Sequence, residues 1–435
     1  MRRAWRALTG RGRALVVVGL LLTLLCALIG ERDVMVVGLL LLFVPIVAGV
    51  LLSRSRLQLS CERSVRPNEV ATGDAMTGQL VVSHRSRLPV GVVLLEDDVP
   101  AQLGQRPRFL IDEPTQDWHG TVRYPLRGQY RGRYHTGPLR VRLTDPFGLV
   151  HLDRAFTATS ELLVTPRVHP LDRLTSLGGA GQTGDNRPQR IGVVGQDDVL
   201  VREYHHGDDV RRIHWRSTAR RGEMMVRREE QAWDPTCAIL LDNRTGAHVG
   251  DAVHGSFEWA VSMTASVGSA MIADGFSIEI HHGQGRLDLA HVSAQRDAIR
   301  HVMLRGLAEL TPRAQPSLTH GVEEMQSEAA GQLVVAVLGR VSVTEAAAIA
   351  RVRRNRAEGV AILLDVDTWG HGRRAATVDG SGAAAVRGNG AEAPEDPMAA
   401  VADVLTSQQW RVVRASAGET VPQVWDRVGA LQGVR

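Results

Sequence analysis

Nonpolar residues are concentrated in two uninterrupted runs near the beginning of the chain. Residues 14–30 and 34–52 contain no charged side chain, and a short charged turn at residues 31–33 separates them. Each run approaches the ~20 residues that an α-helix needs to cross the hydrocarbon core of a bilayer. No small-residue cleavage site follows the first run, and the second run begins at once, which favours two membrane helices over a secretory signal peptide.

Arginine counts predict how this hairpin is oriented. The two flanks share an excess of basic residues: Arg2, Arg3, Arg6, Arg11, Arg13, Arg54 and Arg56. Because arginines are enriched on the cytoplasmic side of membrane helices, both flanks are expected in the cytoplasm. We therefore predict a basic cytoplasmic tail over residues 1–13 and a transmembrane hairpin over 14–52. The protein would be a multi-pass protein of the plasma (inner) membrane, with the bulk of the chain cytoplasmic.

Residues 53–170 alternate short nonpolar runs with turn residues. The runs are rich in Val, Leu and Tyr and cover residues 76–83, 90–96, 118–126, 139–143, 149–152 and 162–165. Turn residues separate them, as at Pro67-Asn68 and Gly137-Pro138. Short strands at regular spacing with such punctuation are typical of two packed β-sheets, so we predict an all-β, Ig-like sandwich domain here.

From residue 236 the pattern changes to strands that alternate with helices. Cys237–Leu241 is a continuous nonpolar run of the kind found in buried parallel strands. Ser256 begins a segment with nonpolar side chains at helical spacing, and Gly275 lies just past its end. Further strands are predicted at residues 276–280, 333–338, 360–365 and 411–414, and further helices at 293–309, 344–357 and 398–408. This alternation predicts a C-terminal α/β domain over residues 236–435, built on an open, mostly parallel sheet.

Two segments of small and polar residues interrupt this organisation. Residues 175–198, within a linking region at 171–235, are expected to form a flexible loop, and residues 370–397 a mobile insertion of the α/β domain. The first segment contains a G-x-G-x-x-G match at residues 179–184. A dinucleotide site needs a helix directly after this motif, but Asp, Asn and Pro follow, so a plain loop is favoured.

The most distinctive segment, residues 201–230, combines Arg, Trp and His. Asp208 can cap a helix that ends at Gly222. Arginines recur every four residues along that helix, and Trp215 offers a flat ring on which an arginine can stack. Eight arginines face six acidic residues in this segment. A surface that follows phosphates normally has a larger excess, which argues against nucleic-acid binding.

Two interpretations of this segment stay open. It forms an ion-pair network between the two domains, or it is a surface that binds another protein, since Trp and Arg are common interface anchors. The residues assigned to the second interpretation share this Arg/Trp/His character: Asp208, Arg211, Arg212, His214, Trp215, Arg216 and Arg220.

The same segment resembles the signature of a bacterial family, the proteins that carry domain of unknown function 58. The match runs from Tyr204 through Gly207-Asp208-Asp209 and Ile213-His214-Trp215 to Gly222. Further matches are Arg127-Gly128-x-Tyr130, Gly137-Pro138-Leu139, Asp145-Pro146-Phe147-Gly148-Leu149 and Thr165-Pro166-Arg167. The resemblance implies a membrane-tethered β-sandwich followed by a von Willebrand factor A-like α/β domain. It also implies two partners, a MoxR-type AAA+ ATPase and a transglutaminase-like membrane protein.

Domains of the von Willebrand factor A type often bind Mg²⁺ through D-x-S-x-S after the first strand. The corresponding residues of this chain are Asp242-Asn243-Arg244-Thr245-Gly246, in which Arg244 and Gly246 replace the two serines. A guanidinium donates hydrogen bonds and cannot coordinate a cation. We therefore predict a degenerate site without metal, with Asp242 as a polar strand end that pairs with an arginine.

Little else in the composition points to catalysis. The chain has three cysteines, none in a C-x-x-C pair, which excludes a disulfide scaffold and a cysteine-based zinc finger. It contains neither a Walker A sequence nor a G-x-S-x-G nucleophile elbow. The sequence thus favours a non-enzymatic, membrane-anchored scaffold or adaptor without a cofactor. A Mg²⁺-dependent binding or adhesion domain that uses Asp242 is the first alternative, and a nucleic-acid binder is the second.

Overall fold

The computed structural model describes most of the chain. The described residues are 5, 7–54, 58–85, 92–111, 117–145, 147–173, 201–204, 213–227, 236–250, 253–289, 295–314, 317–327, 333–353, 358–371 and 396–431. The predictions for the 175–198 loop, for most of the 370–397 insertion, and for Asp208, Arg211 and Arg212 lie outside them.

Two long nonpolar helices open the fold, as predicted. α1 (Gly10–Ile29) and α2 (Arg32–Arg54) are long and nonpolar enough to cross a membrane, judged by length and composition. α1 begins four residues earlier than the nonpolar run because Thr9 caps it, its hydroxyl accepting a hydrogen bond from Gly12 N at 3.1 Å. The helices meet along small residues: a Cβ on Gly19 would lie 3.0 Å from Gly38 O. Their large nonpolar side chains are mostly exposed.

A β-rich region follows the two helices. Its strands are β1 (Gln58–Arg66), β2 (Glu69–Ala71), β3 (Ala75–Arg85), β4 (Val93–Asp97), β5 (Arg108–Ile111), β6 (Asp117–Arg127), β7 (Gly132–Thr136), β8 (Leu139–Thr144), β9 (His151–Phe156) and β10 (Ser160–Thr165). They form three sheets with the orders β1-β3-β6, β2-β10-β7 and β5-β4-β8-β9. Alternate residues of β8 are buried, which places one face of its sheet on a shared nonpolar core.

A buried ion pair lies inside that core. Asp97 is fully buried and pairs with Arg63, whose side chain is also almost entirely buried. The hydroxyl of Tyr124 also donates a hydrogen bond to Asp97. Burial, followed by the hydrogen bond to this carboxylate, raises the pKa of Tyr124 well above its ordinary value. The carboxylate is retained in the core because both of its oxygens have partners.

The linking region contains a small hairpin and a short helix. β11 (Val201–Glu203) pairs antiparallel with β12 (Met225–Arg227), and α3 (Trp215–Arg221) precedes β12. The prediction that a helix runs continuously from Asp208 is wrong, because Ile213 forms a β-bridge with Val226 and His214 is the cap of α3.

The C-terminal region is a mixed sheet with helices on both faces. The strands are β13 (Thr236–Leu241), β14 (Ser277–His282), β15 (Gly285–Arg286), β16 (Leu333–Leu338), β17 (Glu358–Leu364) and β18 (Arg411–Ala415). The helices are α4 (Ser256–Asp274), α5 (Arg296–Glu309), α6 (Thr319–Ser327), α7 (Val343–Val352), α8 (Val366–His371), α9 (Pro397–Ser407) and α10 (Val421–Ala430). The order is β15-β14-β13-β16-β17-β18, and all neighbours are parallel except the short β14–β15 hairpin.

Side chains of β13 alternate between the two faces of this sheet. Ile239 and Leu241 pack with α4, α5 and α10, whereas Ala238 and Leu240 pack with α6, α7 and α9. Because both faces are covered, the central strands β13, β16 and β17 are almost entirely nonpolar, and the sequence shows continuous nonpolar runs there.

Arg131 joins the β-rich region to the C-terminal region. Its side chain is 5% exposed and bonds Glu258 of α4 through Nε at 2.9 Å. Its Nη1 donates to Leu307 O of α5 at 2.8 Å, and the guanidinium lies 5.0 Å from the centre of the Phe257 ring. A single buried cation thus holds the ends of two helices against the turn before β7.

Candidate functional site

The strand order places a crevice at the carboxyl end of β13. β14 lies on one side of β13 and β16 on the other. The chain leaves β13 for α4 on one face of the sheet and leaves β16 for α7 on the other face, so the loops after β13 and β16 turn away from each other. Such a switch point is the usual ligand-binding position in open α/β sheets. Asp242, Asn243 and Arg244 follow β13 directly and occupy this position, and all three are buried.

Arg244 binds both oxygens of Asp242. Its Nε donates to Oδ1 at 3.0 Å and its Nη2 to Oδ2 at 2.8 Å, so the pair is bidentate. The Asp242 side chain is fully buried and that of Arg244 is 8% exposed. The guanidinium of Arg244 therefore neutralises the carboxylate of Asp242 within the same loop. Arg244 is the residue that replaces the first serine of D-x-S-x-S.

Two further groups complete the environment of Arg244. Its Nη1 donates to Oε1 of Glu345 at 2.6 Å, and its Nη2 donates to the carbonyl of Arg340 at 2.9 Å. Burial alone would lower the pKa of Arg244, but hydrogen bonding to Asp242 and the nearby carboxylates raises it above its ordinary value. The guanidinium is fully charged and is anchored by its own loop after β13 and by the segment that joins β16 to α7.

Glu345 is itself held by the start of α7. Its Oε2 accepts from Ser342 N at 3.0 Å, while the Ser342 hydroxyl accepts from Glu345 N at 3.3 Å, which forms a capping box. One carboxylate thus caps a helix with one oxygen and binds Arg244 with the other. This arrangement fixes where the guanidinium can lie.

Two further polar side chains of the crevice, Asn243 and His248, also have hydrogen-bond partners. Asn243 donates from Nδ2 to Gln284 at 3.0 Å and accepts from Gly283 N at 3.0 Å. His248 lies 2.7 Å from the carbonyl of Asp242 through Nε2 and 3.1 Å from Ser256 through Nδ1. Desolvation lowers the pKa of His248, so the neutral ring donates to that carbonyl.

Gly246, the second serine replacement, lies in a 3-10 turn of residues 245–247. A Cβ there would meet no atom within 4 Å, so its lack of a side chain leaves open space next to the Asp242 loop. Within the part of the chain that the structure describes, no three His, Cys, Asp or Glu side chains are grouped as metal ligands would be. The crevice is organised around an internal ion pair.

The second candidate surface is the short helix α3. His214 caps it, with Nδ1 accepting from Ser217 N at 3.3 Å, and Gly222 ends it with a φ of 77°. Trp215 is 70% exposed at its first position, and Arg216 and Arg220 are exposed on later positions. The structure therefore brings four of the predicted interaction residues together on one exposed turn.

Sequence patterns did not identify Glu345 and Arg340 of the crevice, or Arg131, which joins the β-rich region to the C-terminal region. Arg340 lies in the loop after β16 and Glu345 in the first turn of α7, and no local pattern connects them with Asp242. Arg131 follows the Arg127-Gly128-x-Tyr130 match directly, and that proximity was the available signal. The loop after β16 contributes a backbone carbonyl, that of Arg340.

Comparison with known proteins finds a family model that is similar to residues 200–367 of the chain. Residues 200–367 match the family described as "Protein of unknown function DUF58", which confirms the resemblance seen in the sequence. "Uncharacterized protein YeaD" of Bacillus subtilis (strain 168) is 24% identical over 250 residues, which cover 54% of this chain and 58% of that protein. The matched stretch therefore spans less than two thirds of that relative.

Solved structures add little to this result. A β-glucosidase from Listeria innocua has a TM-score of 0.16 and 14% identity, covering 26% of this chain and 16% of that one. The alkylpurine DNA glycosylase AlkC of Pseudomonas fluorescens has a TM-score of 0.16 and 12% identity, covering 31% of this chain and 39% of that one. Scores this low carry no argument about fold or activity.

Proposed function

We propose that this protein, whose residues 200–367 match the DUF58 family model, is a membrane-anchored, non-enzymatic scaffold or adaptor. In this proposal α1 and α2 span the plasma membrane and the remainder of the chain lies in the cytoplasm. The β-rich region is an Ig-like sandwich, and the C-terminal region is a von Willebrand factor A-like domain. The partners are a MoxR-type AAA+ ATPase or its client proteins, together with a transglutaminase-like membrane protein.

One observation carries the proposal: a tryptophan is 70% exposed on a helix that is held in a defined position. The His214 cap, the Gly222 stop and the Ile213–Val226 bridge fix the backbone of α3. A large aromatic side chain on a rigid turn loses little conformational entropy on binding, and Trp with neighbouring Arg is the usual composition of interface hot spots.

The Asp242–Arg244 pair supports the adaptor interpretation over the metal-dependent one. A Mg²⁺ ion needs carboxylate and hydroxyl oxygens arranged octahedrally. Here both oxygens of Asp242 accept from Arg244, and the charge is already balanced. Titration calorimetry of the full chain with Mg²⁺ tests this point. Millimolar or tighter binding that is lost in Asp242→Ala would overturn the adaptor proposal in favour of metal-dependent binding.

The adaptor proposal is tested by measuring binding of a purified MoxR-type ATPase to the full chain in nanodiscs. We expect Trp215→Ala/Arg216→Ala to weaken binding by roughly 30-fold or more, equivalent to about 2 kcal/mol. Leu110→Ala removes an equally exposed nonpolar side chain from β5 and is the matched control.

Unchanged melting temperatures would show that both variants remain folded. Equal affinity of the wild type, the double variant and the control would remove α3 from the interface. If the double variant lowers the melting temperature together with the affinity, the segment is the structural ion-pair network instead.

A further inference from the structure

A turn of the β-rich region is attached to the first turn of α1. Thr9 N donates to Leu149 O at 2.9 Å, and the Thr9 hydroxyl donates to Gly148 O at 2.6 Å. Leu8 and Val150 form an antiparallel β-bridge at the same place. The end of the nonpolar helix is therefore joined by backbone hydrogen bonds to the turn that contains Phe147, Gly148 and Leu149.

Gly12 allows this close approach. A Cβ on Gly12 would lie well inside the van der Waals distance of the Leu149 carbonyl oxygen, whereas a Cβ on Gly10 would meet no atom within 4 Å. Gly12 is buried at this contact while Arg11 and Arg13 on either side of it are exposed. The contact is specific to one face of the first turn of α1.

Asp145 makes the turn rigid. Its side chain is buried and accepts hydrogen bonds from three backbone amides: Phe147 N at 3.0 Å, Leu149 N at 2.7 Å and Val150 N at 2.6 Å. Gly148 has a φ of 67°, a left-handed conformation that favours glycine. These bonds hold the backbone of the turn, yet the Phe147 side chain is 72% exposed. A well-defined turn thus presents a phenyl ring on the surface of the protein.

A nonpolar groove lies beside this turn. It encloses about 380 Å³ between the first turns of α1, the last turns of α2 and the start of β9. Leu8, Pro45, Ile46, Val50, Val150 and Leu152 contribute to its walls. Ile46 and Val50 are also on the exposed face of α2, so the groove is continuous with the nonpolar surface of the helix pair.

We infer that the Phe147 turn and this groove form a bilayer-contact surface, in which Phe147 inserts into the interfacial region of the leaflet and phospholipid acyl chains fill the groove. This inference rests on the proposed membrane anchoring of α1 and α2. The groove lies where α1 begins and α2 ends, at one end of both nonpolar helices. Phe is common on the inserted face of segments that lie in the membrane interface, and exposed Arg11 and Arg13 match anionic lipid headgroups.

Nitroxide labels on introduced cysteines measure the depth of each position; Cys61 is replaced, and the two remaining native cysteines, Cys26 and Cys237, are buried. The labels are placed at Phe147→Cys, at Leu21→Cys in the middle of α1, and at Leu110→Cys on β5, in the full chain with Cys61→Ser. These three positions have exposed fractions of 72%, 63% and 64%. The protein is reconstituted in vesicles of phosphatidylethanolamine and phosphatidylglycerol. Collisions with oxygen, which concentrates in the bilayer, are compared with collisions with a water-soluble nickel chelate.

We expect oxygen to dominate at positions 147 and 21 and nickel to dominate at 110. Nickel dominance at 147 with oxygen dominance at 21 overturns this inference and leaves the membrane anchor intact. Nickel dominance at 21 overturns the anchor itself. Shielding of position 147 from both reagents identifies a protein contact, such as a second copy of the chain, and also overturns the inference.

Two glycine variants test whether the contact with α1 holds Phe147 in the membrane. Gly12→Leu should displace the turn and change the label at 147 from oxygen to nickel dominance, while position 21 is unaffected. Gly10→Leu, two residues away on an open face, should leave both labels as they were. Oxygen dominance at 147 in Gly12→Leu would overturn the proposed role of this contact.

Discussion

Helices α1 and α4 are almost equally long and both are rich in nonpolar residues, yet their environments are opposite. α1 has 20 residues, of which only Gly12, Gly19 and Cys26 are buried. α4 has 19 residues, and most of them are buried, including Val261, Met263 and Val267. The buried residues of α1 are small and spaced by seven, whereas those of α4 range from Gly268 to Phe257 in size and surround the helix.

The polar residues of the two helices differ in the same way. In α1 the hydroxyl of Thr23 donates to Gly19 O at 2.7 Å, within its own helix. In α4 Ser262 donates to Arg167 O at 2.6 Å, and Ser266 accepts from His169 N at 2.9 Å. Hydroxyls of α4 therefore reach the neighbouring segment at residues 167–169, although Ser266 also donates within its own helix to Ser262 O. The two helices differ in the segments that surround them more than in their content of nonpolar residues.

A charge introduced into each helix gives the largest expected effects. Val267→Asp places a carboxylate in the fully buried face of α4 and should destabilise the C-terminal region by about 4 kcal/mol or more. Leu21→Asp on the exposed face of α1 should leave the melting of that region unchanged but weaken membrane insertion by about 2.5–3.5 kcal/mol. Thermal melts in detergent and membrane extraction measure the two effects. A lower melting temperature of the C-terminal region in Leu21→Asp would contradict the proposed difference between the two helices.

The C-terminal core accepts a charge only where it is paired, as at Asp242. Arg244→Met would leave the buried carboxylate without its partner and should cost about 3–5 kcal/mol of unfolding free energy. Asp242→Asn/Arg244→Met removes both charges and should recover most of that loss. Denaturant unfolding of the three proteins measures the difference. An equally unstable double variant would show that the pair contributes packing and not charge balance.

The contact between α1 and α2 depends on small residues instead of large ones. A Cβ on Gly38 would lie 2.9 Å from Thr23 N and 3.2 Å from Gly19 O, so Gly38→Ala should weaken helix pairing by about 1–3 kcal/mol. The nearest atom to a Cβ on Gly49 is 3.9 Å away, and Gly49→Ala is the matched control. Unfolding in mixed micelles with increasing SDS reports on the pairing. Equal midpoints would argue against close helix contact.

The smallest effect is a pH dependence that exists in the C-terminal region and has no counterpart in α1. Burial lowers the pKa of His248, so the unfolded chain takes up the proton first as the pH falls. The stabilisation from neutral His248 is complete above its ordinary pKa and is lost as the pH falls through the lowered value. His248→Gln should flatten the pH dependence of unfolding between pH 7 and 5, relative to His254→Gln at an exposed position. Identical slopes would contradict this prediction.

Much of the secondary structure was predictable from periodicity. The two nonpolar helices and the strands of the parallel sheet were found because a continuous nonpolar run has few other interpretations. Helices α6, α8 and α10 were missed. Thr319–Ser327 and Val421–Ala430 are short and polar on one side, and their nonpolar faces are defined by the sheet that they cover.

The candidate site was predictable only in part. Asp242 and its pairing with an arginine could be anticipated, because Arg244 replaces a ligand residue two positions later. Glu345 and Arg340 could not, since their approach depends on the sheet order. The start of α3 was misplaced because Asp208 has the stronger capping propensity, whereas the β-bridge of Ile213 and the cap at His214 are tertiary effects.

The bond between Thr9 and Leu149 also has a mechanical consequence. The body of the protein is attached to the helix pair by this bond and also by Leu15, Val44 and Ala48, which pack on the core of the β-rich region. Attachments to both helices resist rotation of the body relative to them. Torque applied to the body would therefore be transmitted directly to α1.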